Sequence, residues 1–370
     1  MPAKTDLPVL TLRELNRALL ARQMLLTRQR VTAVDAIERL ACLQAQWAPS
    51  PYVALWTRLA GFKRDDLRAS IDKGLVIKAT LMRATLHLVR ATDYAAYSLV
   101  TLDGRFAAWR PPGGPDLATL KDIHDKVFKF AGKTPRTREE IREFIARDAP
   151  KEERLRNWYL WAAVTASGIV WEKSGAYWEY RQLARFVAPP ARLRKVPKPE
   201  AAFDLVARRY LGAFGPSTVG DLANWSGCRV PPLRAALERI KAIRRFRDER
   251  GRELFDLAKA PRPSADAVAP PRFLARFDAA ILGHDAAERT RILPTEYKKQ
   301  VIFSAEVWTT FLIDGFVAGR WKIASTPKQA VLELLPFKRL GKSDKVALVD
   351  EGERLVRFYY PEAKTHGVKA

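Results

Sequence analysis

Cysteine and histidine are scarce in this chain of 370 residues, which has two cysteines (Cys42, Cys228) and four histidines (His87, His124, His284, His366). Two cysteines build no disulfide framework, so a reducing compartment is expected. The histidines are scattered without ligand spacing; no zinc site, metal or cofactor is expected. No run of 18 apolar residues occurs, which excludes a membrane-spanning helix. The segment Met1–Pro8 is polar and shows no leader pattern, so the expected location is the cytoplasm. Gly-x-Ser-x-Gly and glycine-rich phosphate loops are missing, and neither cysteine has a histidine at a plausible spacing. Acidic clusters of the kind that hold nuclease metals are missing too. Triad hydrolases, nucleotide-driven motors and metal nucleases are therefore set aside.

Positive charge is abundant. Lys and Arg total 65 against 41 Asp and Glu, a formal charge of +24, with an isoelectric point near 10.2. Such an excess is the electrostatic footprint of a polyanion partner, nucleic acid foremost. The plainer reading is a basic protein from a genome that favours arginine. The length allows two to four compact units.

Three passages repeat one grammar of helices followed by a two-stranded ribbon. In the first (residues 1–115), Leu12, Leu15, Leu19 and Leu26 lie at helical spacing, and Thr32 is the N-cap of a second helix over Val34–Gln46. Helices over Pro51–Ala60 and Asp65–Lys73 follow. Leu75–Arg90 is strand-like, with Met82, Ala84, Leu86 and Leu88 on one face and Arg83, Thr85 and His87 on the other. In the second passage (116–190), Thr137 and Glu140 form a capping box, and Lys151–Ser167 is helical. A hairpin of Ile169–Glu172 and Ala176–Tyr180 then carries Trp171, Tyr177, Trp178 and Tyr180. The third (200–260) has a helix over Ala201–Ala213 and a helix-turn-helix pair over Ser217–Ser226 and Pro231–Lys241. A ribbon of Ile243–Phe246 and Glu253–Leu257 closes it. Helix-turn-helix plus ribbon is the winged-helix pattern. Beyond a Pro/Ala-rich linker, residues 271–370 form a β-rich module, with a hairpin around Asp314-Gly315 and a terminal helix over Lys345–Tyr360. The expected fold class is α+β, mainly α: three tandem winged-helix units and a C-terminal β-rich domain.

Chemistry is hardest to locate. What stands out is a glutamine pair, Gln44 and Gln46, in Leu43-Gln44-Ala45-Gln46-Trp47. On a helix, Gln44 falls inside the apolar stripe of Ile37, Leu40, Leu43 and Trp47, and Gln46 falls on the wet side with Asp35 and Arg39. A primary amide in an apolar stripe needs a fixed hydrogen-bond partner or a bound water. If the last turn unwinds ahead of Pro49 and Pro51, both amides face one cleft. Without further context, such a pair at a helix end reads as two solvated polar side chains.

Leu43-Gln44-Ala45-Gln46 with Ser50-Pro51-Tyr52 and Leu55-Trp56 resembles the glutamine motif of the winged-helix DNA glycosylases of the AlkZ/YcaQ type. So do Arg83-Ala84-Thr85-Leu86-His87, Phe214-Gly215-Pro216-Ser217-Thr218 and Phe273-Leu274-Ala275-Arg276-Phe277-Asp278. The resemblance runs from about Leu10 into the C-terminal module. It implies a bacterial enzyme with three winged helices forming a concave scaffold, active on bulky alkylated purines and interstrand crosslinks. It also implies a catalytic Gln-x-Gln, which falls on Gln44 and Gln46. The chemistry agrees. An amide has no usable pKa, but it can orient a water and turn its dipole toward a developing sugar cation. That suffices when the leaving base is already cationic, as in N7-alkylguanine and N3-alkyladenine. No lysine is singled out for imine formation, so hydrolysis to an abasic site is expected. A crosslinked base cannot be flipped into a closed pocket, and an open concave face suits it better.

The expected partner is alkylated double-stranded DNA, bound by a monomer that needs no membrane. Arg83, Thr85 and His87 are either DNA contacts or the exposed side of a wing, and His87 alone is equally a structural histidine. The aromatic hairpin is core or a base-stacking wedge; Lys173 and Arg181 beside Trp178 favour DNA contact. Arg244, Arg245 and Arg247 touch phosphate or decorate a solvated wing, and Asp278 is read as structural. Two other classes stay open: a transcription regulator, which would bind one palindrome, and a damage sensor on the same scaffold without catalysis.

Overall fold

The structure is a computed structural model that describes residues 7–108, 110–114, 116–180 and 184–370. The chain opens with β1 (Val9–Leu10) and α1 (Leu12–Arg22), the latter started by a Thr11/Glu14 capping box. Then come α2 (Ala33–Arg39), β2 (Leu43–Gln44), α3 (Ser50–Arg58), α4 (Arg64–Asp72), β3 (Val76–Thr80), β4 (Leu86–Arg90), α5 (Tyr94–Val100) and α6 (Leu102–Ala107). Thr32 caps α2 as its sequence suggests, accepting from the Asp35 N–H. The helix does not reach Gln46, however. It ends at Arg39, because Ala41 turns left-handed (φ 65°) and its carbonyl is taken by the buried Tyr97 hydroxyl at 2.9 Å. From there the chain runs extended. The strand-like stretch Leu75–Arg90 is two strands, β3 and β4, and the alternation expected across Leu81–Val89 is broken by a tight turn over residues 81–85.

The next elements are α7 (Leu117–Ala131), β5 (Arg136–Thr137), α8 (Arg138–Ile145), α9 (Glu153–Ala166), β6 (Val170–Trp171) and β7 (Arg185–Val187). The Thr137/Glu140 capping box is present. The return strand of the hairpin is β7, not Ala176–Tyr180: Trp171 pairs with Phe186, while Lys173–Ala176 is a 3-10 turn. That turn carries the following residues away from the sheet and into the core, where Trp178 is 8% exposed. After it come α10 (Pro199–Phe214), α11 (Val219–Ser226), α12 (Val230–Arg239), β8 (Ile243–Asp248) and β9 (Glu253–Leu257). Here the sequence reading holds within a few residues. Thr218 caps α11 and Gly227 (φ 77°) closes it, the left-handed position glycine adopts without strain.

The C-terminal part contains β10 (Arg272–Leu274), α13 (Ala279–Leu282), α14 (Lys298–Val301), β11 (Ile302–Phe303), β12 (Glu306–Val307), β13 (Thr310–Ile313), β14 (Phe316–Ser325), β15 (Gln329–Pro336), α15 (Lys342–Tyr359) and β16 (Thr365–Lys369). Its main sheet has the order β10-β13-β14-β15-β16, antiparallel except for the last pair. That parallel pair requires a crossover, which α15 provides.

Three small sheets accompany the helices, in the orders β2-β4-β3, β5-β7-β6 and β1-β8-β9. Chain order and spatial order differ in the last, where β1 from the N-terminus runs parallel to β8. The β2-β4-β3 sheet is buried on both faces. One face sends Cys42, Ile77, Ala79 and Val89 into a core shared with α10, α11 and α12. The other sends Leu43, Val76 and Leu88 into a core shared with the five-stranded sheet and α15. The glutamine segment thus lies on an edge strand clamped between two cores. Among the described residues, no helix is long and apolar enough to cross a membrane.

Candidate functional site

Strand β2 pairs antiparallel with β4, Leu43 opposite Leu88 and Gln44 opposite His87. Gln44 is the last residue of β2 and faces the side of His87. Gln46 lies two residues on, in the bend that follows the strand, and its side chain turns back to the edge of β4. Gln44 is 8% exposed, and its carbonyl oxygen accepts from the Arg83 guanidinium (Nη2) at 3.4 Å. That supplies the fixed partner a buried amide needs. Gln46 is exposed, and its Oε1 accepts from the Leu86 backbone N–H at 2.8 Å. Next to it, the Ala45 N–H donates to Leu86 O at 2.7 Å, so the Gln46 amide stands at the end of the ladder as an extra acceptor. Both partners are donors only, which fixes the orientation of both amides: carbonyl toward the protein, amino group away from it. Each carbonyl keeps a second lone pair.

Arg83 and Thr85 lie in the turn between β3 and β4. Arg83 (φ 52°, ψ 26°) and Ala84 (φ 55°) are both left-handed. Nη1 of Arg83 donates to Trp225 O at 2.7 Å, and burial pushes its pKa down to about 10, with the like charge of Arg289 adding to the effect. It stays charged at neutral pH. The Thr85 hydroxyl donates to Met82 O at 3.1 Å. His87, 1% exposed, is a core residue rather than a DNA contact: its Nδ1 meets the Thr85 carbonyl at 2.9 Å. Burial, with help from Arg83, pushes the His87 pKa down to about 3, so the ring is neutral and Nδ1 carries the proton.

The other candidates disperse. Trp178 packs edge-on against Tyr52 (5.6 Å) and Tyr359 (4.7 Å) beneath the Arg64 guanidinium (3.7 Å), so it is core and not a wedge. Lys173 is exposed and donates to the Asp72 carbonyl, while Arg181 lies outside the described residues. Arg244, Arg245 and Arg247 are exposed on β8; Arg245 meets Glu253 at 3.0 Å and Arg247 meets Gly251 O at 3.3 Å. Asp278 is structural, as expected: it holds the buried Arg58 guanidinium through two bonds (2.7 and 2.9 Å) and caps α13.

Sequence reasoning missed an aromatic–guanidinium cluster beside Gln46. Arg276 lies over Trp47 at 5.5 Å and over Trp308 at 5.1 Å, and Trp308 is 38% exposed. Such a stack is a ready platform for a base. Arg276 sits inside the Phe273–Asp278 motif, which was the available signal. Lys78, the buried lysine of β3, has its pKa lowered to about 8 by burial, and its ammonium donates to Gly175 O at 2.8 Å. Its register partner is Leu88, so it faces away from Gln44. Among the described residues, no group of three His, Cys, Asp or Glu side chains is placed to hold a metal ion.

The edge of the β2-β4-β3 sheet thus gathers an amide pair, a guanidinium and an aromatic stack in a chain of formal charge +24. The family model described as AlkZ-like DNA glycosylase matches residues 37–358, and the chain belongs to that family: it is a DNA glycosylase. It is 27% identical over 347 residues to the interstrand DNA cross-link repair glycosylase of Streptomyces sahachiroi, covering 87% of this chain and 91% of that protein. Its fold is similar to the solved structure of the DNA glycosylase AlkZ from the same organism, with a TM-score of 0.76 at 22% identity over 97% of this chain and 100% of that one. Membership of a glycosylase family decides against a regulator or a non-catalytic sensor.

Proposed function

We propose that this glycosylase hydrolyses the N-glycosidic bond of cationic alkylpurines, N7-alkylguanine and N3-alkyladenine, with a water held by Gln44 and Gln46. The observation that carries this reading is the pair of amides two residues apart in the extended segment along β4, each with its carbonyl fixed by a donor-only partner. Neither amide takes up a proton near neutral pH, so neither generates hydroxide; they orient a water and stabilise developing positive charge on the sugar. The base leaves with the electron pair of the C1′–N bond and is thereby neutralised. Water adds to the sugar cation at C1′ and its proton passes to solvent, leaving an abasic site. A lyase step is not part of the proposal, since Lys78 faces the other side of the sheet.

The three small sheets with their helices are read as winged-helix units lining a concave face, and that openness suits bulky adducts and interstrand crosslinks, the lesion named for the Streptomyces relative. The proposed DNA contacts are Thr85, Lys173 and Arg181, with Arg244, Arg245 and Arg247 on phosphate and the Trp47–Arg276–Trp308 stack against a base. The enzyme acts as a monomer on chromosomal DNA. The deciding experiment is base release from a duplex with one N7-methylguanine. The Gln44→Ala/Gln46→Ala variant is expected to lose on the order of 10²-fold or more in single-turnover rate with little change in DNA affinity. Rate and affinity falling together would make the glutamines structural. A crosslinked duplex is the second substrate.

A further inference from the structure

Arg83 sits in a setting that a surface DNA contact does not require. Both hydrogen-bond partners of its guanidinium are neutral oxygens, Trp225 O and Gln44 Oε1, and among the described residues no carboxylate lies within ion-pair distance. Its backbone occupies the left-handed region together with Ala84, a conformation that L-residues avoid unless the surroundings impose it. The surroundings do so here by close backbone packing. A Cβ on Gly227, the residue that closes α11, would lie 3.3 Å from the Arg83 nitrogen. A Cβ on Gly104 in α6 would lie 2.2 Å from the Gly227 carbonyl oxygen. Two glycines thus let three backbone segments stack, pressing the turn down so that the guanidinium points inward under Gln44.

A guanidinium only donates, so it accepts one orientation of the neighbouring amide. With the Gln44 carbonyl drawn inward, the amino group and the second carbonyl lone pair are left for a water. We propose that Arg83 is a positioning residue, whose guanidinium, anchored on the Trp225 carbonyl, fixes the orientation of the Gln44 amide and thereby its hold on the attacking water. The inference rests on the reading of Gln44 as a water-holding group. It assigns Arg83 to α11 and the amide rather than to a DNA phosphate.

The test measures single-turnover base release and dissociation constant on the N7-methylguanine duplex for the native enzyme, Gln44→Ala, Arg83→Met, Arg83→Ala and Gln44→Ala/Arg83→Met. Arg83→Met is expected to slow release on the order of 10²-fold, the scale of a misplaced catalytic group, with affinity nearly unchanged. The double variant is expected to release base no more slowly than Gln44→Ala. Millimolar guanidinium is expected to restore part of the rate of Arg83→Ala, which an unfolded protein would not show. Additive losses in the double variant, or affinity falling as far as the rate, would overturn the proposal in favour of a phosphate contact. Normal release by Arg83→Met beside an impaired Gln44→Ala would overturn it as well. A Gln44→Ala enzyme with native rate would instead remove the reading of Gln44, and this inference with it.

Discussion

Three of the four histidines are buried and held neutral. Burial is the first cause in each: it lowers the pKa of His87 to about 3 with help from Arg83, that of His124 to about 4 with help from Arg105, and that of His284 in the same direction beside Arg291. In the unfolded chain all three titrate near the ordinary value of about 6.5. Above that pH neither state binds the protons, and the native state keeps its full stability. Below it the unfolded chain takes up protons that the native state refuses, so stability falls as pH drops from about 6.5 toward the folded values. Carboxylates with lowered pKa, such as Asp221 and Asp248, begin to matter only below about 4. Urea midpoints are therefore expected to decline from pH 7 to 4.5, and His124→Gln to flatten that decline. A flat profile would mean that the rings are hydrated. Because His87 sits opposite Gln44 in the sheet, it keeps a charge out of the site rather than supplying one.

The element that carries the site is short, and its placement depends on neighbours. Strand β2 is two residues long, and α3 begins six residues after it. The last residue of α3, Arg58, is locked to Asp278 in the C-terminal module by a bidentate pair in which both side chains are fully buried. The pair fixes the segment after the glutamines against α13. Removing one partner leaves the other charge uncompensated, which costs about 3–5 kcal/mol, whereas replacing both with apolar groups costs far less. Asp278→Ala is thus expected to lower stability by about that amount in urea denaturation, and Arg58→Met/Asp278→Leu to recover most of it. Equal losses for the single and double variants would show that the pair contributes through packing alone.

For the whole molecule, the excess of positive charge is expected to govern affinity for undamaged DNA. A formal charge of +24 makes binding to undamaged duplex a matter of counterion release, weak and blind to sequence at high salt. The logarithm of affinity is expected to fall linearly with that of salt concentration, at roughly 0.9 per phosphate neutralised. Changing Arg244, Arg245 and Arg247 together to Gln should lessen the slope by about 0.9 for each arginine that reaches a phosphate, read by anisotropy across a salt series. An unchanged slope would return the β8 face to solvent. The N-terminal strand β1, paired with β8, ties this face to the beginning of the chain.

What the sequence determined by itself is what local chemistry and composition set. Charge pointed to nucleic acid, the resemblance carried by short motifs to a DNA glycosylase family, and the caps at Thr32 and Thr137 to real helix starts, since a cap acts within three residues. The helices of residues 199–239, the β8–β9 ribbon and the hairpin at Asp314-Gly315 were legible for the same reason. The end of α2 was not. Ala41 has no local reason to turn left-handed; the Tyr97 hydroxyl, 56 positions on, stabilises that turn, and β4 then draws Gln44 into a ladder. Trp178 and His87 looked available because alternation tells which face a residue takes, not what covers that face. Tertiary structure alone decided that the glutamine segment runs extended along β4 and that Arg83 donates to Trp225 and Gln44, because the partners that enforce it, Leu86 and Trp225, lie tens to more than a hundred residues away.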